Sequence, residues 1–122
     1  MIGYVTLGTN DIDRAAKFYD SLLGTLGARR LMDMGTFILW GIDMTRPMLA
    51  ITKPFDGNAA TVGNGVMVAL VMDSKEKVDA LYAKARELGA ADEGAPGPRG
   101  ESFYAGYFRD LDGNKLNAFI AG

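Results

Sequence analysis

Histidine and cysteine are both missing from the 122 residues of this chain, and each absence removes a class of chemistry. Without cysteine there are no disulfides, thiolate nucleophiles or thiolate metal sites. Without histidine there is no imidazole to act as base, acid or ligand. Any metal would depend on Asp, Glu, Asn, Tyr or main-chain oxygen, a donor set suited to hard ions and not to zinc. Charge of one sign is also scarce, with 13 basic residues against 15 acidic ones and a formal net charge of -2. Arg29-Arg30 and the Lys75 and Lys77 pair are local features and form no stripe, so no nucleic-acid partner is expected. Long apolar runs are absent too. The longest uncharged stretch, Gly57 to Met72, includes Asn58 and Asn64 and falls short of a membrane span. The opening MIGYVTLGTND has no basic leader and is cut by Asp11, unlike a signal peptide. The expectation is a cytoplasmic protein with no membrane partner.

What the chain does have is a core. Apolar residues make up 48% of it, too many for a disordered segment, and the length fits one domain. Two stretches carry the same punctuation. DIDRAAKFYDSLLGTLG runs from Asp11 to Gly27 and DSKEKVDALYAKARELG from Asp73 to Gly89. Each opens on an Asp that can cap a helix and ends on Leu-Gly. Ile12, Ala15, Ala16, Tyr19, Leu22 and Leu23 share one helical face in the first, as do Val78, Leu81, Tyr82, Ala85 and Leu88 in the second. Gly24 or Gly27 can end the first helix and Gly89 the second.

Each helix follows an apolar stretch, Ile2 to Gly8 or Gly65 to Met72, and precedes further strand-like segments. In the first half these are Arg29–Met34, Thr36–Ile42 and Met48–Thr52; in the second, the neighbourhood of Ala90–Glu93, then Phe103–Arg109 and Lys115–Ile120. Turn signals at Met34-Gly35, GIDMTRP and Asp112-Gly113 separate them. The reading is an α+β fold of two βαβββ modules forming a curved mixed sheet with an inner cavity and helices outside. It is taken as a single domain, 1–122, with module one at 1–53, a linker at 54–64 and module two at 65–122.

Strand alternation assigns faces. Tyr4 and Thr6 share the more polar side of the first strand. Val66, Val68, Leu70 and Met72 form one apolar row of the fifth, and Met67, Ala69 and Val71 the other, so that strand is expected to be buried on both sides. Tyr104 and Tyr107, three apart, should face opposite ways. Asn117 sits in apolar company in LNAF, which admits two readings: an amide satisfied by neighbouring backbone, or one that orients a ligand.

These residues carry a resemblance. LGTNDIDRAAKFYDSLLGTLG, with Phe18-Tyr19 and Leu23-Gly24, resembles the opening of the vicinal oxygen chelate superfamily of glyoxalases, bleomycin resistance proteins and extradiol dioxygenases. YFRDLDGNKLNAF, Tyr107 to Phe119, resembles that family's closing Phe-x-Asp-Pro-Asp-Gly-Asn hairpin, with Leu111 where Pro is usual. The resemblance spans essentially the whole chain. It implies paired βαβββ modules, a cavity and a homodimer. It also implies four metal-ligand positions, which fall on Tyr4, near Ala50, on Met67 and on Asn117. None of these is a firm ligand, so neither a metal nor another cofactor is expected.

The ligand-binding candidates are Tyr4, Thr6, Met67, Tyr107, Arg109 and Asn117, with a small organic molecule as partner. Trp40, Lys53, Phe55, Tyr104 and Glu101 lie on segments that can join them. Trp40 also reads as a core or dimer-interface aromatic. Arg109 can clamp a carboxylate through its planar fork, or pair with Asp110 or Asp112. The segment GAPGPRGES reads as a loop, and its Glu101 offers a general base opposite a tyrosine acid. Catalytic candidates are Tyr4, Glu101 and Tyr107. Asp33, Asp43 and Glu101 leave an unusual oxygen-ligand metal site open. Three functions remain at this stage: a metal-independent binding protein, a divergent glyoxalase-like lyase or isomerase, and an interaction module with a vestigial cavity. Resistance proteins of the resembled family sequester a drug, which makes the first a natural expectation.

Overall fold

A computed structural model describes residues 1–122. The elements run β1 (Tyr4–Gly8), α1 (Ile12–Gly24), β2 (Arg29–Asp33), β3 (Phe37–Gly41), β4 (Met48–Thr52), β5 (Val68–Val71), α2 (Lys75–Glu87), β6 (Ala91–Pro98), β7 (Phe103–Arg109) and β8 (Lys115–Ala121). The chain divides into two compact units, Met1–Val62 and Gly63–Gly122, and the division falls inside the 54–64 segment. Each unit is a βαβββ module. Hydrogen bonding sorts the strands into two four-stranded mixed sheets, ordered β1-β4-β3-β2 and β5-β8-β7-β6. The order is the same twice: a helical crossover carries the chain to the far edge and a meander brings it back, so the last strand lies parallel to the first.

Both helices begin and end for local reasons. Asp11 caps α1, its carboxylate accepting from the Arg14 backbone N–H at 3.1 Å. In α2 the cap is Ser74, accepting from the Lys77 backbone N–H at 3.2 Å, and not Asp73 as expected. Asp73 instead pairs with Lys77 one turn on, leaving the shorter hydroxyl to meet the orphan donor. Past α2, Gly89 takes φ +101°, a left-handed exit that favours glycine.

In the first unit α1 buries Ala15, Ala16, Phe18, Tyr19, Leu22 and Leu23. Trp40 lies on the helix side of its sheet, its Nε1–H donating to Asp20 Oδ1 at 2.9 Å, so Leu49 and Ile51, register partners of Trp40 and Ile38, share that side. In the second unit Val78, Leu81 and Ala85 are buried, as are Phe108, Leu116 and Ala118 of β7 and β8. Each such large apolar side chain stabilises by about 1.5–3 kcal/mol. Tyr104 belongs to the helix side, its hydroxyl donating to Asp79 at 2.7 Å; Tyr107 therefore faces the opposite way, as alternation requires.

Two expectations change. β5 is not buried on both sides: Val71 is 71% exposed and Met67 39%. It is an edge strand with one neighbour, β8. The other change concerns GAPGPRGES, which is strand through Pro98, paired to β7 with two register shifts. The prolines are tolerated because β6 is also an edge. No helix is long and apolar enough to cross a membrane.

Candidate functional site

Turn chemistry fixes the end of the last hairpin. The Asp110 carboxylate accepts from the backbone N–H groups of Asp112 at 3.0 Å and Asn114 at 2.9 Å, and from Asn114 Nδ2 at 3.0 Å. Gly113, at φ +91°, makes the reversal. This loop locks the β7–β8 register, which sets Tyr107 directly opposite Asn117 and Arg109 opposite Lys115. Directly opposed residues share a face, so these four side chains all stand on the side of the sheet away from α2. Ala69 of β5 is the other register partner of Asn117.

Asn117 is 1% exposed, and its Oδ1 has no hydrogen-bond partner. Neighbouring backbone does not meet this oxygen. An unpaired buried amide oxygen costs about 1–3 kcal/mol, so the position demands an explanation. Tyr107 beside it makes no side-chain hydrogen bond. Its ring has the Arg99 guanidinium carbon at 5.4 Å and Lys115 Nζ at 5.5 Å from its centroid. Arg109 is engaged: its Nε–H meets Glu93 and its Nη1–H donates to the Gly113 carbonyl at 2.9 Å. That partner is neither Asp110 nor Asp112. The Arg109 guanidinium holds the Glu93 carboxyl below the usual carboxylate range. Met67 precedes β5 and is half-exposed.

Tyr4 and Thr6 belong to the first unit, on the face of β1 away from α1. Tyr4 meets Phe37 edge-to-face at 6.0 Å, and Thr6 is the register partner of Ala50. Trp40 does not join them, being buried on the helix side. Glu101 lines a pocket of about 180 Å³ with Lys75, Phe103, Tyr104 and Ile120. The tyrosine in that pocket is thus Tyr104, not Tyr107. Its hydrogen bond to Asp79 raises its pKa, which makes it a poorer acid. A groove of about 390 Å³ in the first unit is lined by Asp13, Lys17, Arg30 and Asp33, with Arg30 already bonded to Asp20 and Asp33.

The residues that sequence reasoning missed are Arg99, Lys115 and Glu93. Lys115 carried a signal, two residues before Asn117 on the same strand. Arg99 and Glu93 depend on the bulges of β6, for which two glycines and two prolines read as loop.

The sequence model of the Glyoxalase/Bleomycin resistance protein/Dioxygenase superfamily matches residues 1–118. The chain belongs to that superfamily. A glyoxalase/bleomycin resistance protein from Albidiferax ferrireducens T118 is similar at 36% identity and TM-score 0.88, over 98% of this chain and 97% of the other. A hypothetical protein from S. aureus shares the fold at 24% identity and TM-score 0.78, over 99% and 93%. A glyoxalase/bleomycin resistance protein/dioxygenase family enzyme from Burkholderia phytofirmans PsJN does so at 18% and 0.78, over 98% of each chain. No curated protein matches. Membership in the superfamily supports a small-molecule site with an aromatic and polar lining.

The metal centre that the superfamily resemblance implies does not fit these residues. Ala50 has no donor and is fully buried; Met67 offers a thioether and Asn117 one neutral oxygen, both poor for a hard divalent ion. No three carboxylates come together elsewhere. Asp33 is held by Arg30 and Asp43 by Thr45 and Arg46.

Proposed function

We propose that this superfamily member is a metal-independent binding protein for a small organic molecule, held at the Tyr107–Asn117 face of the second module. The observation that carries the reading is the buried, unpartnered Oδ1 of Asn117 beside a tyrosine hydroxyl with no bond of its own. A ligand N–H or O–H would recover the desolvation cost of that oxygen, and the ring would take the ligand body. Met67 adds an adaptable apolar wall, while Arg109 holds Glu93 and the hairpin end in place. Tyr4 and Thr6 share a face of β1 in the first module, away from α1.

The test is a ligand-observed NMR screen of a small-molecule library against untagged protein treated with a chelator. Hits should bind the chelated wild type and lose about tenfold in affinity in Asn117→Leu and Tyr107→Phe. Binding that requires added metal, or that is unchanged in both variants, overturns the reading.

A homodimer is part of the proposal. β1 and β5 are edge strands of their sheets; β1 exposes Tyr4 and Val5, and β5 exposes Val71, with Met67 exposed just before it. Uncovered apolar edges invite association.

A further inference from the structure

The geometry points to an organic oxyanion, a carboxylate or phosphonate, as the class of molecule bound at Tyr107 and Asn117; this rests on the binding role proposed above and narrows it. Two cations converge on the Tyr107 ring. Arg99 reaches it from the β6 side and Lys115 from β8, at 5.4 and 5.5 Å from the centroid. Neither makes an ion pair, whereas the neighbouring Arg109 is paired with Glu93, a carboxylate that also lies within the field of Lys115. Two like charges gathered at one partly desolvated ring repel each other, and attraction to the ring face offsets only part of that. An oxyanion beside the ring offsets that repulsion and gains charge-assisted hydrogen bonds from whichever of the two it meets.

The position of Arg99 is built into the backbone. Gly94 and Gly97 are register partners of Tyr107 and Ala105, so both point to the face away from α2. A Cβ added at Gly94 would stand 3.2 Å from Arg99 Nη2, and one at Gly97 3.2 Å from Nη1. The guanidinium lies in the space that two missing side chains leave. Its Nη2–H donates to the Ala95 carbonyl at 2.8 Å and its Nη1–H to the Pro98 carbonyl at 3.4 Å, which fixes its plane and leaves three of its five N–H groups for an acceptor.

The rest of the face describes the rest of the molecule. Lys115, Asn117 and Phe119 alternate along β8 on one side, spaced roughly 7 Å apart. Phe119 stacks on Phe103 at 5.3 Å and 17°. Lys115 therefore stands at one end, the acceptor in the middle and an aromatic surface at the other, with the Arg99 guanidinium level with Asn117 and Phe119 on the β6 side. The matching ligand carries an oxyanion, a hydrogen-bond donor and an apolar or aromatic body.

The experiment titrates the full ¹⁵N-labelled chain at low salt with three probes: 4-hydroxyphenylacetate, 4-hydroxybenzylphosphonate and the neutral 4-hydroxyphenylacetamide. The Asn117 side-chain amide and the backbone amides of Tyr107 and Phe119 are followed. The expected result is that one or both anions shift these signals with affinity at least about tenfold above that of the amide. That advantage should shrink with added salt. Arg99→Met and Lys115→Met should each remove most of it, lowering affinity for the anions by a larger factor than affinity for the amide. If Arg99→Met does not fold, Lys115→Met, which touches no backbone bond, decides alone. Equal affinity for acid and amide at these signals overturns the anion inference and leaves the binding role intact. Absence of any shift from either anion overturns the inference as well, and the library screen then decides the binding role separately.

Discussion

Asp20 joins a helix and two strands through one carboxylate. It accepts from Trp40 Nε1 at 2.9 Å and from Arg30 Nε and Nη2 at 2.9 and 2.8 Å, while the Arg30 guanidinium lies 5.8 Å over the Trp40 ring. The Arg30 hydrogen bond holds the Asp20 carboxyl below its ordinary range. With 43% of the side chain exposed, the ion pair is screened and contributes little; the bond to the buried indole matters more. Asp20→Ala should therefore cost about 2 kcal/mol in urea unfolding, and Asp20→Asn about half that, because an amide oxygen still accepts from the indole. The depressed carboxylate contributes stability above its unfolded pKa of about 3.9 and loses it as pH falls through the lower folded value. Thermal scans of the wild type should thus steepen below about pH 4, and those of Asp20→Asn less so. The site's own residues differ in how far sequence exposes them. Tyr107 and Asn117 are visible as a polar pair on apolar strands. Arg99 is not, because nothing local says that the glycines before it aim their empty positions at a tyrosine on another strand.

At the scale of elements, β4 and β7 match their sequence expectations residue for residue, since alternation and turn residues bound them on both sides. The ends of β1 and β5 are shorter than expected because an edge strand has a partner on one side only. β6 was hidden by its composition: Gly and Pro signal a loop, and only tertiary pairing to β7 overrides them. That pairing leaves a measurable trace. Pro96 packs on Gly106 so closely that a Cβ there would stand 2.9 Å from Pro96 Cγ. Gly106→Ala should cost about 1–3 kcal/mol, as overpacking against a rigid ring does. Gly41 offers the contrast. A Cβ there would meet Met48 Cγ at 2.7 Å, but a methionine can move aside, so Gly41→Ala should be the milder of the two in the same urea titration. The equivalent helix caps show the limit of pattern reading: Asp73 and Ser74 are both good capping residues, and the choice between neighbours is made by how the chain enters α2.

For the whole molecule the repeated strand order is the clearest sign of duplication, stronger than the sparse identities between DIDRAAKFYDSLLGTLG and DSKEKVDALYAKARELG. Those two segments agree in cap-to-glycine length and in their buried stripes, which is what a shared backbone requires. The proposed association is tested at this scale. Sedimentation equilibrium should give twice 13.1 kDa for the wild type. Val71→Glu on the exposed edge of β5 should shift it toward a single chain with little loss of folding, because the side chain is already 71% exposed. A single-chain mass for the wild type removes the dimer from the proposal. The placement of the one tryptophan has a practical consequence. Trp40 is buried against α1 in the first module, and every group on the Tyr107 face belongs to the second. The indole is an optical reporter for one half of the molecule. A titration meant for the Tyr107 face therefore calls for a reporter in that module itself, such as the side-chain amide of Asn117.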